Sequence, residues 1–250
     1  IDASDAGVVL DGADPAPFRA GLAIQGADDV VVQGLQIRGF HWGMVVYAGA
    51  SGCTIGGDRN VGTAPSGQGN VLSGNIRGIE IQNSTRGNLI GTDASGMMSA
   101  GNTAIGVFLA NAASENTIGG QHTLGQCDRH CNVVSGNGDA GIVLQDPDTV
   151  GMPSNEIVGN LIGTSLDGTA PLGRQQVGID ILANASNTQV GGALPWQGNL
   201  ISGKLDVGVK ITWEGTTGPA ILGNHIGTDI TGTSPVPNYT GVLVASAPLN

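Results

Sequence analysis

The feature that most constrains this chain is a short phrase, glycine followed by alternating apolar residues, that returns at intervals of 28 to 37 residues. Its seven copies are GMVV at Gly43, GIEI at Gly78, GVFL at Gly106, GIVL at Gly141, GIDI at Gly178, GVKI at Gly208 and GVLV at Gly241. In each copy the apolar side chains lie two residues apart, which is the period of a β-strand with one buried face. Because so short a strand cannot bury a face alone, the copies are expected to stack on one another.

Other phrases alternate between these copies. GNLIGTDASG, GNLIGTSLDG and GNHIGTDITG begin at Gly87, Gly159 and Gly223, and GNVLSGN, CNVVSGN and GNLISGK begin at Gly69, Cys131 and Gly198. CTIGG, NTIGG and TQVGG begin at Cys53, Asn116 and Thr188. The whole pattern therefore repeats every 63 to 72 residues, which predicts two turns of a coil, with about three strands per turn and loops leaving at alternating corners.

These patterns predict an all-β fold, a right-handed parallel β-helix of about seven turns, whose inward Ile, Val and Leu form continuous columns. We expect residues 1–250 to be one domain, with a lead-in segment at 1–21 and coils at 22–250. Since the sequence opens within the pattern at IDASDAGVVLDG, we expect it to be a fragment of a longer chain.

Composition excludes several classes of protein. Hydrophobic residues make up 40% of the chain, too many for a disordered segment. The 44 glycines do not fall on every third residue, which excludes collagen. With a formal net charge of -11 the chain repels phosphate backbones, so we expect no nucleic-acid partner. The chain has no long apolar run and no polybasic stretch, so we expect no direct insertion into a membrane and no attachment to an anionic membrane surface.

The cysteines and the glycosylation sequons are the residues that indicate whether the protein is extracellular. Cys127 and Cys131 share one loop, CDRHC, where a local disulfide, free thiols or a metal site with His122 and His130 are the alternatives. The spacing matches no standard zinc motif. Glycosylation sequons at Asn83, Asn184 and Asn238 are compatible with an extracellular surface.

The polar residues of the phrases have structural interpretations. Asn70, Asn132 and Asn199 are expected to form one ladder of side-chain amides, Asn75 and Asn137 a second, with Asn88, Asn160 and Asn224 in the GNxIGT phrase. Asp93, Asp167 and Asp229 are expected to cap turns, with weak calcium binding as the alternative. The acid of the middle copy moves by two residues, because Ser165 occupies its place. We therefore predict no metal and no other cofactor.

Together the phrases resemble the right-handed parallel β-helix proteins of the pectate-lyase-like superfamily. More narrowly they are similar to bacterial surface-protein repeats of the GNxISGN, GIxI, GNLIGTDxxGT and NTIGG type, over roughly Leu22 to Val244. Three features depart from that pattern: the turn from Gly78 lacks a strand phrase, Lys204 replaces an Asn, and the loop at 121–131 is enlarged. The NTD, DD, GHG and RIK motifs of polygalacturonase-like enzymes and the epimerase motif Y-G-x-D-P-H are absent.

The resemblance implies that a sugar chain would bind on the outer side of the GIxI strands. The outward residues there are Val45, Glu80, Phe108, Val143, Asp180, Lys210 and Leu243. Of these we take Glu80, Phe108, Asp180 and Lys210 as candidate binding residues, and we expect Asp180 and Lys210 to form an ion pair. Glu80 and Asp180 would be about 14 Å apart at ~4.8 Å per turn. That distance exceeds the ~5–9.5 Å between the two carboxylates of glycoside hydrolases.

We therefore predict a secreted or cell-surface β-helix module that is structural or adhesive and has no catalytic site in this span. Its predicted partners are a surface polysaccharide or copies of itself stacked end to end. The alternative is a polysaccharide lyase or glycoside hydrolase of the same superfamily, with catalytic residues that the sequence does not identify.

Overall fold

The fold is a parallel β-helix, as predicted. The computed structural model describes residues 1–81, 84–110, 113–123, 125–145, 155–183, 185–204, 206–212, 216 and 218–245. Its strands, numbered in chain order, form three sheets in which every pairing is parallel. Each strand pairs with the strand three positions later, so the chain visits the three sheets in turn and then rises by one coil.

Sheet 1 contains the longest strands, which carry the GIxI phrases. They are β2 (Ala20–Gln25), β5 (Trp42–Tyr47), β8 (Arg77–Ile81), β11 (Ile105–Ala110), β14 (Ala140–Gln145), β17 (Val177–Leu182), β20 (Val207–Thr212) and β23 (Thr240–Ala245). Sheet 1 thus has eight strands, one more than the copies of the phrase, and with seven strands in the third sheet the coil makes about seven complete turns, as expected. The additional strand begins with GLAI at Gly21, which is the same phrase with alanine at its outward position.

Sheets 2 and 3 complete each coil with shorter strands. Sheet 2 contains β1 (Val9–Asp11), β4 (Gln36–Arg38), β7 (Val71–Leu72), β10 (Leu89–Ile90), β13 (Val133–Val134), β16 (Leu161–Ile162), β19 (Leu200–Ile201) and β22 (His225–Ile226). Sheet 3 contains β3 (Val31–Val32), β6 (Thr54–Ile55), β9 (Ser84–Thr85), β12 (Thr117–Gly119), β15 (Glu156–Val158), β18 (Gln189–Gly191) and β21 (Ala220–Leu222). One 3-10 helix, Pro195–Gln197, lies between β18 and β19.

Two expectations about the chain's course differ from the structure. The turn after Gly78 does have its strand, because Ser84–Thr85 pairs with the strands of the coils on either side. The segment 1–21 does more than lead into the coils. Asp2 bridges to Gln33 in parallel, and Val9–Asp11 pairs with Gln36–Arg38, so this segment already forms most of the first coil.

The core is the stack of inward side chains that all three sheets contribute. Ile79, Ile162 and Ile157, one from each sheet, are fully buried. The glycine that begins each phrase in sheet 1 allows successive coils to approach closely, since a Cβ at Gly178 would collide with the carbonyl oxygen of Gly208. Within the described residues, no helix is long and apolar enough to span a membrane.

Buried amide ladders join the coils, and their arrangement corrects the predicted grouping. The two phrase types contribute alternately to a single ladder, in which each Nδ2 donates to the next Oδ1 at 2.9–3.2 Å: Asn70, Asn88, Asn132, Asn160, Asn199, Asn224. The second ladder runs through Asn75, Asn102, Asn137 and Gln175. Apart from these two ladders, Asn116 and Asn155 form a hydrogen-bonded pair that joins two coils at another corner.

Candidate functional site

The predicted outward column of sheet 1 has the predicted register. Val45 pairs with Glu80, Glu80 with Phe108, Phe108 with Val143, Val143 with Asp180, Asp180 with Lys210, and Lys210 with Leu243. The expected ion pair forms, with Lys210 Nζ 3.4 Å from Asp180 Oδ2. Burial nevertheless raises the pKa of the Asp180 carboxyl, against the effect of Lys210.

The side chains of this column largely satisfy one another. Arg77 lies 2.8 Å from the Glu80 carboxylate and 4.5 Å above the centre of the Phe108 ring. Phe108 is only 9% exposed and belongs to an outer apolar cluster with Val143 and Val177. The ring of Phe108, one of the candidate binding residues, therefore packs mostly within the protein, and its role in binding stays a prediction.

The three acidic turns bind their own backbone. Asp229 accepts hydrogen bonds from the Thr231 hydroxyl and from the N–H groups of Thr233 and Ser234, which lower its pKa to about 2. Burial raises the pKa of Asp93, but hydrogen bonds from Ser95, Met98 and Met97 reverse that effect and lower it.

The middle copy reaches the same result with a different residue. There the Ser165 hydroxyl donates to Asp167, which also accepts the N–H of Thr169. These carboxylates therefore act as turn caps. No group of three or more His, Cys, Asp or Glu side chains suited to a metal ion occurs in the described part of the chain.

The remaining predictions concern the cysteines and the sequons. Cys127 and Cys131 form a disulfide, so neither sulfur is a free thiol or a metal ligand. Asn83 and Asn184 lie outside the described residues. Asn238 is part of the corner structure, where Nδ2 donates to the Ile201 carbonyl and Oδ1 accepts the Lys204 N–H. Its amide nitrogen is thus already engaged.

The strongest candidate site is an open groove of about 410 Å3 on the outer side of sheet 3. It spans four coils, from β9 to the loop that follows β18. Its lining side chains include a guanidinium, an imidazole, a carboxylate and an indole, contributed by Arg86, His130, Glu156 and Trp196. Thr117 and Gln121 add a hydroxyl and an amide. We call this surface the sheet 3 groove.

Side chains alternate between inward and outward along each strand, and this alternation determines which residues form the floor of the groove. Ile118 and Ile157 point inward and are fully buried, so their neighbours Thr117 and Glu156, paired across β12 and β15, point outward. Gly120 follows β12, and a Cβ there would approach the Cβ of His130 to 3.0 Å. The glycine thus lets the histidine lie against the end of the strand.

The enlarged loop at 121–131 supplies one wall of the groove. The disulfide closes this loop beside His130, and the buried Arg59 guanidinium donates to the Cys127 carbonyl. The His130 carbonyl accepts the Gly87 N–H at 3.0 Å, which ties the loop to the coil below. Trp196 forms the opposite wall from the 3-10 helix. The wall that carries His130 is therefore held in place by covalent and hydrogen-bonded contacts.

Charge in the groove is mixed. Burial lowers the pKa of the His130 imidazole, and the nearby Arg86 and Arg129 lower it further, against the opposite effect of Asp58. The imidazole is therefore neutral at neutral pH. Its neutral ring can donate one hydrogen bond and accept another, beside a carboxylate and a guanidinium.

Sequence reasoning placed the candidate binding residues on sheet 1 and missed this groove. Its residues come from four coils, and His130 was weighed only as a metal ligand beside the cysteines. The signal that could have identified the groove is the polar outward position of sheet 3, Thr117 and Glu156, next to the enlarged loop. Compared with protein families, curated proteins and solved structures, the chain matches none.

Proposed function

We propose that this chain is a structural and adhesive module of a secreted or cell-surface protein and that it binds a glycan in the sheet 3 groove. The observation that carries the proposal is Trp196, half-buried beside Glu156, Gln121 and His130. Sugars combine apolar faces with rings of hydroxyl groups, so an aromatic platform flanked by donors and acceptors suits them. The relationship to the pectate-lyase-like superfamily, and to bacterial surface repeats within it, is part of this proposal.

The extracellular location has its own support. The Cys127–Cys131 disulfide is typical of oxidising compartments and rare in the cytosol of mesophiles. The stacked coils also suit a rigid spacer, because amide ladders and a continuous core join each coil to the next.

Replacing Trp196 tests glycan binding. We expect Trp196→Ala to bind its glycan about tenfold more weakly, equivalent to about 1.4 kcal/mol, because the stacking surface is lost. A glycan array identifies the ligand, and titration calorimetry then compares wild type with the variant. The matched control is Leu194→Ala, since Leu194 belongs to the same loop and is 52% exposed.

Three results of this experiment are informative. Equal affinity of the wild type and Trp196→Ala would exclude the groove as the glycan site. A wild type that binds no glycan on the array would refute the adhesive role. Release of unsaturated or reducing ends would instead support the alternative, a polysaccharide lyase or glycoside hydrolase, with His130 and Glu156 as the candidate proton-transfer groups.

A second proposal, end-to-end stacking of copies, rests on the last coil. Val242 and Val244 occupy the inward positions of β23 but are 42% and 62% exposed, whereas Val209 and Ile211 one coil earlier are 0% and 6% exposed. The described residues therefore leave apolar core and unpaired strand edges accessible at this end, a surface that promotes pairing with another chain. The occupant that we propose is a second copy of the chain.

A further inference from the structure

The distribution of the basic side chains points to a specific ligand chemistry in the sheet 3 groove. The chain has nine Lys and Arg residues against 20 Asp and Glu. Arg38, Arg77 and Lys210 form ion pairs with acidic side chains. Lys204 is buried, and the half-buried Arg59 donates to the Cys127 carbonyl. The other four, all exposed and without an ion pair to any described residue, are Arg19, Arg86, Arg129 and Arg174.

Two of these four cations lie at or beside the groove. Arg86 lines it directly, and both Arg86 and Arg129 are close enough to His130 to disfavour a positive charge on the imidazole. Two carboxylates outside the groove act on the charges of this loop, Asp58 on His130 and Asp128 on Arg129, and both accept hydrogen bonds within their own turns. Asp58 accepts the Asn60 N–H, and Asp128 accepts the N–H and hydroxyl of Thr123.

Glu156 is the carboxylate that lines the groove itself. It forms no ion pair with Arg86 or with any other described residue. Among the described residues, the groove therefore presents a guanidinium and a carboxylate that are not paired with each other. Such an arrangement can bind a ligand that has both an anionic group and hydroxyl donors.

We propose that Arg86 binds an anionic group of the glycan, a carboxylate or a sulfate ester, while Glu156 accepts hydrogen bonds from its hydroxyls and Trp196 stacks on a sugar ring. The inference rests on the proposed function, because it names the ligand class of the same groove. Arginine suits this role, since its planar fork donates two parallel hydrogen bonds to such oxyanions and is weakly hydrated.

The charge of the whole chain makes this inference testable. A net charge of -11 repels polyanions at long range, so diffuse electrostatic attraction cannot produce a preference for anionic glycans. Any preference has to come from local contacts. At physiological ionic strength charges are screened beyond about 8 Å. A preference for anionic glycans measured there therefore reports the local contact with Arg86 and little of the charge elsewhere on the chain.

The test compares three dextrans of equal chain length: unmodified, carboxymethylated and sulfated. We expect the wild type to bind one or both charged forms at least about tenfold more tightly than the neutral form. Arg86→Gln should lose that preference and bind the charged and neutral forms with similar affinity. Arg174→Gln, which removes an exposed arginine outside the groove, should bind like the wild type.

The outcomes separate this inference from the proposed function. Equal binding of neutral and charged dextrans, or an unchanged preference in Arg86→Gln, overturns the anionic ligand but leaves glycan binding standing. Absence of binding to all three dextrans also overturns the anionic ligand, and the glycan array then decides the adhesive role. Comparison of the carboxymethylated and sulfated arms identifies which anion the groove binds.

Discussion

Asparagine suits the corners of this coil because its side chain donates and accepts at once. Asn160 shows the full set of contacts. Its Oδ1 accepts from Asn132, and its Nδ2 donates to Asn199 Oδ1 and to the Ile118 carbonyl. The amide therefore satisfies groups of the coils above and below where backbone turns away from the sheets. A side chain that cannot both donate and accept hydrogen bonds would leave some of these buried groups unpaired.

Lys204 breaks this rule in the second ladder. It occupies a position equivalent to Asn137 and Gln175, and its buried ammonium donates to the Ser202 carbonyl. Burial lowers the pKa of Lys204 well below its usual range. In the unfolded chain the pKa is about 10.4, so between the two values the unfolded state binds more protons. Stability from this group is therefore missing at neutral pH and rises as the pH increases towards 10.4.

Replacing Lys204 with methionine should remove this effect. We expect Lys204→Met to be more stable than the wild type at pH 7 by about 1.4 kcal/mol or more, the equivalent of one pKa unit. Urea unfolding at neutral and alkaline pH measures the difference, which should shrink as the pH rises. A variant that is less stable at pH 7, or a difference that does not depend on pH, would show that the amine is not the cause.

The positions of side chains that belong to one repeated strand phrase could be predicted from the sequence. The positions of side chains that come together from several loops could not. The period of two fixed the register of Glu80, Asp180 and Lys210, because neighbouring coils carry the same phrase. The groove depends instead on Arg86 and Trp196, which are 110 residues apart. Their proximity follows from the path of two loops, and no repeated phrase encodes that path. Burial of Phe108 was missed for the same reason, since an outward position does not reveal what packs over it.

At the scale of elements, the GNxIGT loops cover the outside of sheet 2. Leu89, Leu161 and Leu200 point outward from that sheet, yet each is at most 4% exposed. Ala94, Leu166 and Ile230 of the loops, together with the disulfide, pack against them. The loops also bond to one another: the Leu166 N–H donates to Gly96, and the Ile230 N–H donates to Gly168. Alternate coils thus supply a second apolar layer, which explains the double period.

The ladder is the element in which a single change should have the largest effect. Asn160→Ala would leave the Asn132 amide and the Ile118 carbonyl buried without these partners, at about 1–3 kcal/mol each. We expect a loss of about 3 kcal/mol in the free energy of unfolding, measured by urea denaturation. Asn60→Ala is the control, because Asn60 is exposed. A loss of less than about 1 kcal/mol would mean that water or neighbouring amides replace these bonds.

The whole molecule repeats one unit along one axis, so its two ends are related by the same pattern. The first strand of sheet 1 carries GLAI from Gly21, and the last carries GVLV from Gly241. A second copy stacked head to tail would therefore continue the parallel register and the inward column. Such a contact is heterologous and forms open filaments instead of closed rings unless a rotation closes it. The inward Ile24 of the first sheet 1 strand is 5% exposed and the inward Val244 of the last is 62% exposed, so the inward column of sheet 1 is more open at the last coil.

Stacking of copies should respond to a charge placed on that last coil. We expect the wild type to form concentration-dependent oligomers in sedimentation velocity, and Val244→Lys to remain monomeric, because a lysine there would have to lose its hydration in the interface. Val244 is already 62% exposed, so the substitution should leave the fold intact, as circular dichroism can verify. Leu194→Lys alters a side chain of similar exposure on a lateral loop and should assemble like the wild type. A wild type that stays monomeric at every loading concentration, or a Val244→Lys variant that still assembles, would rule out this end as the stacking surface.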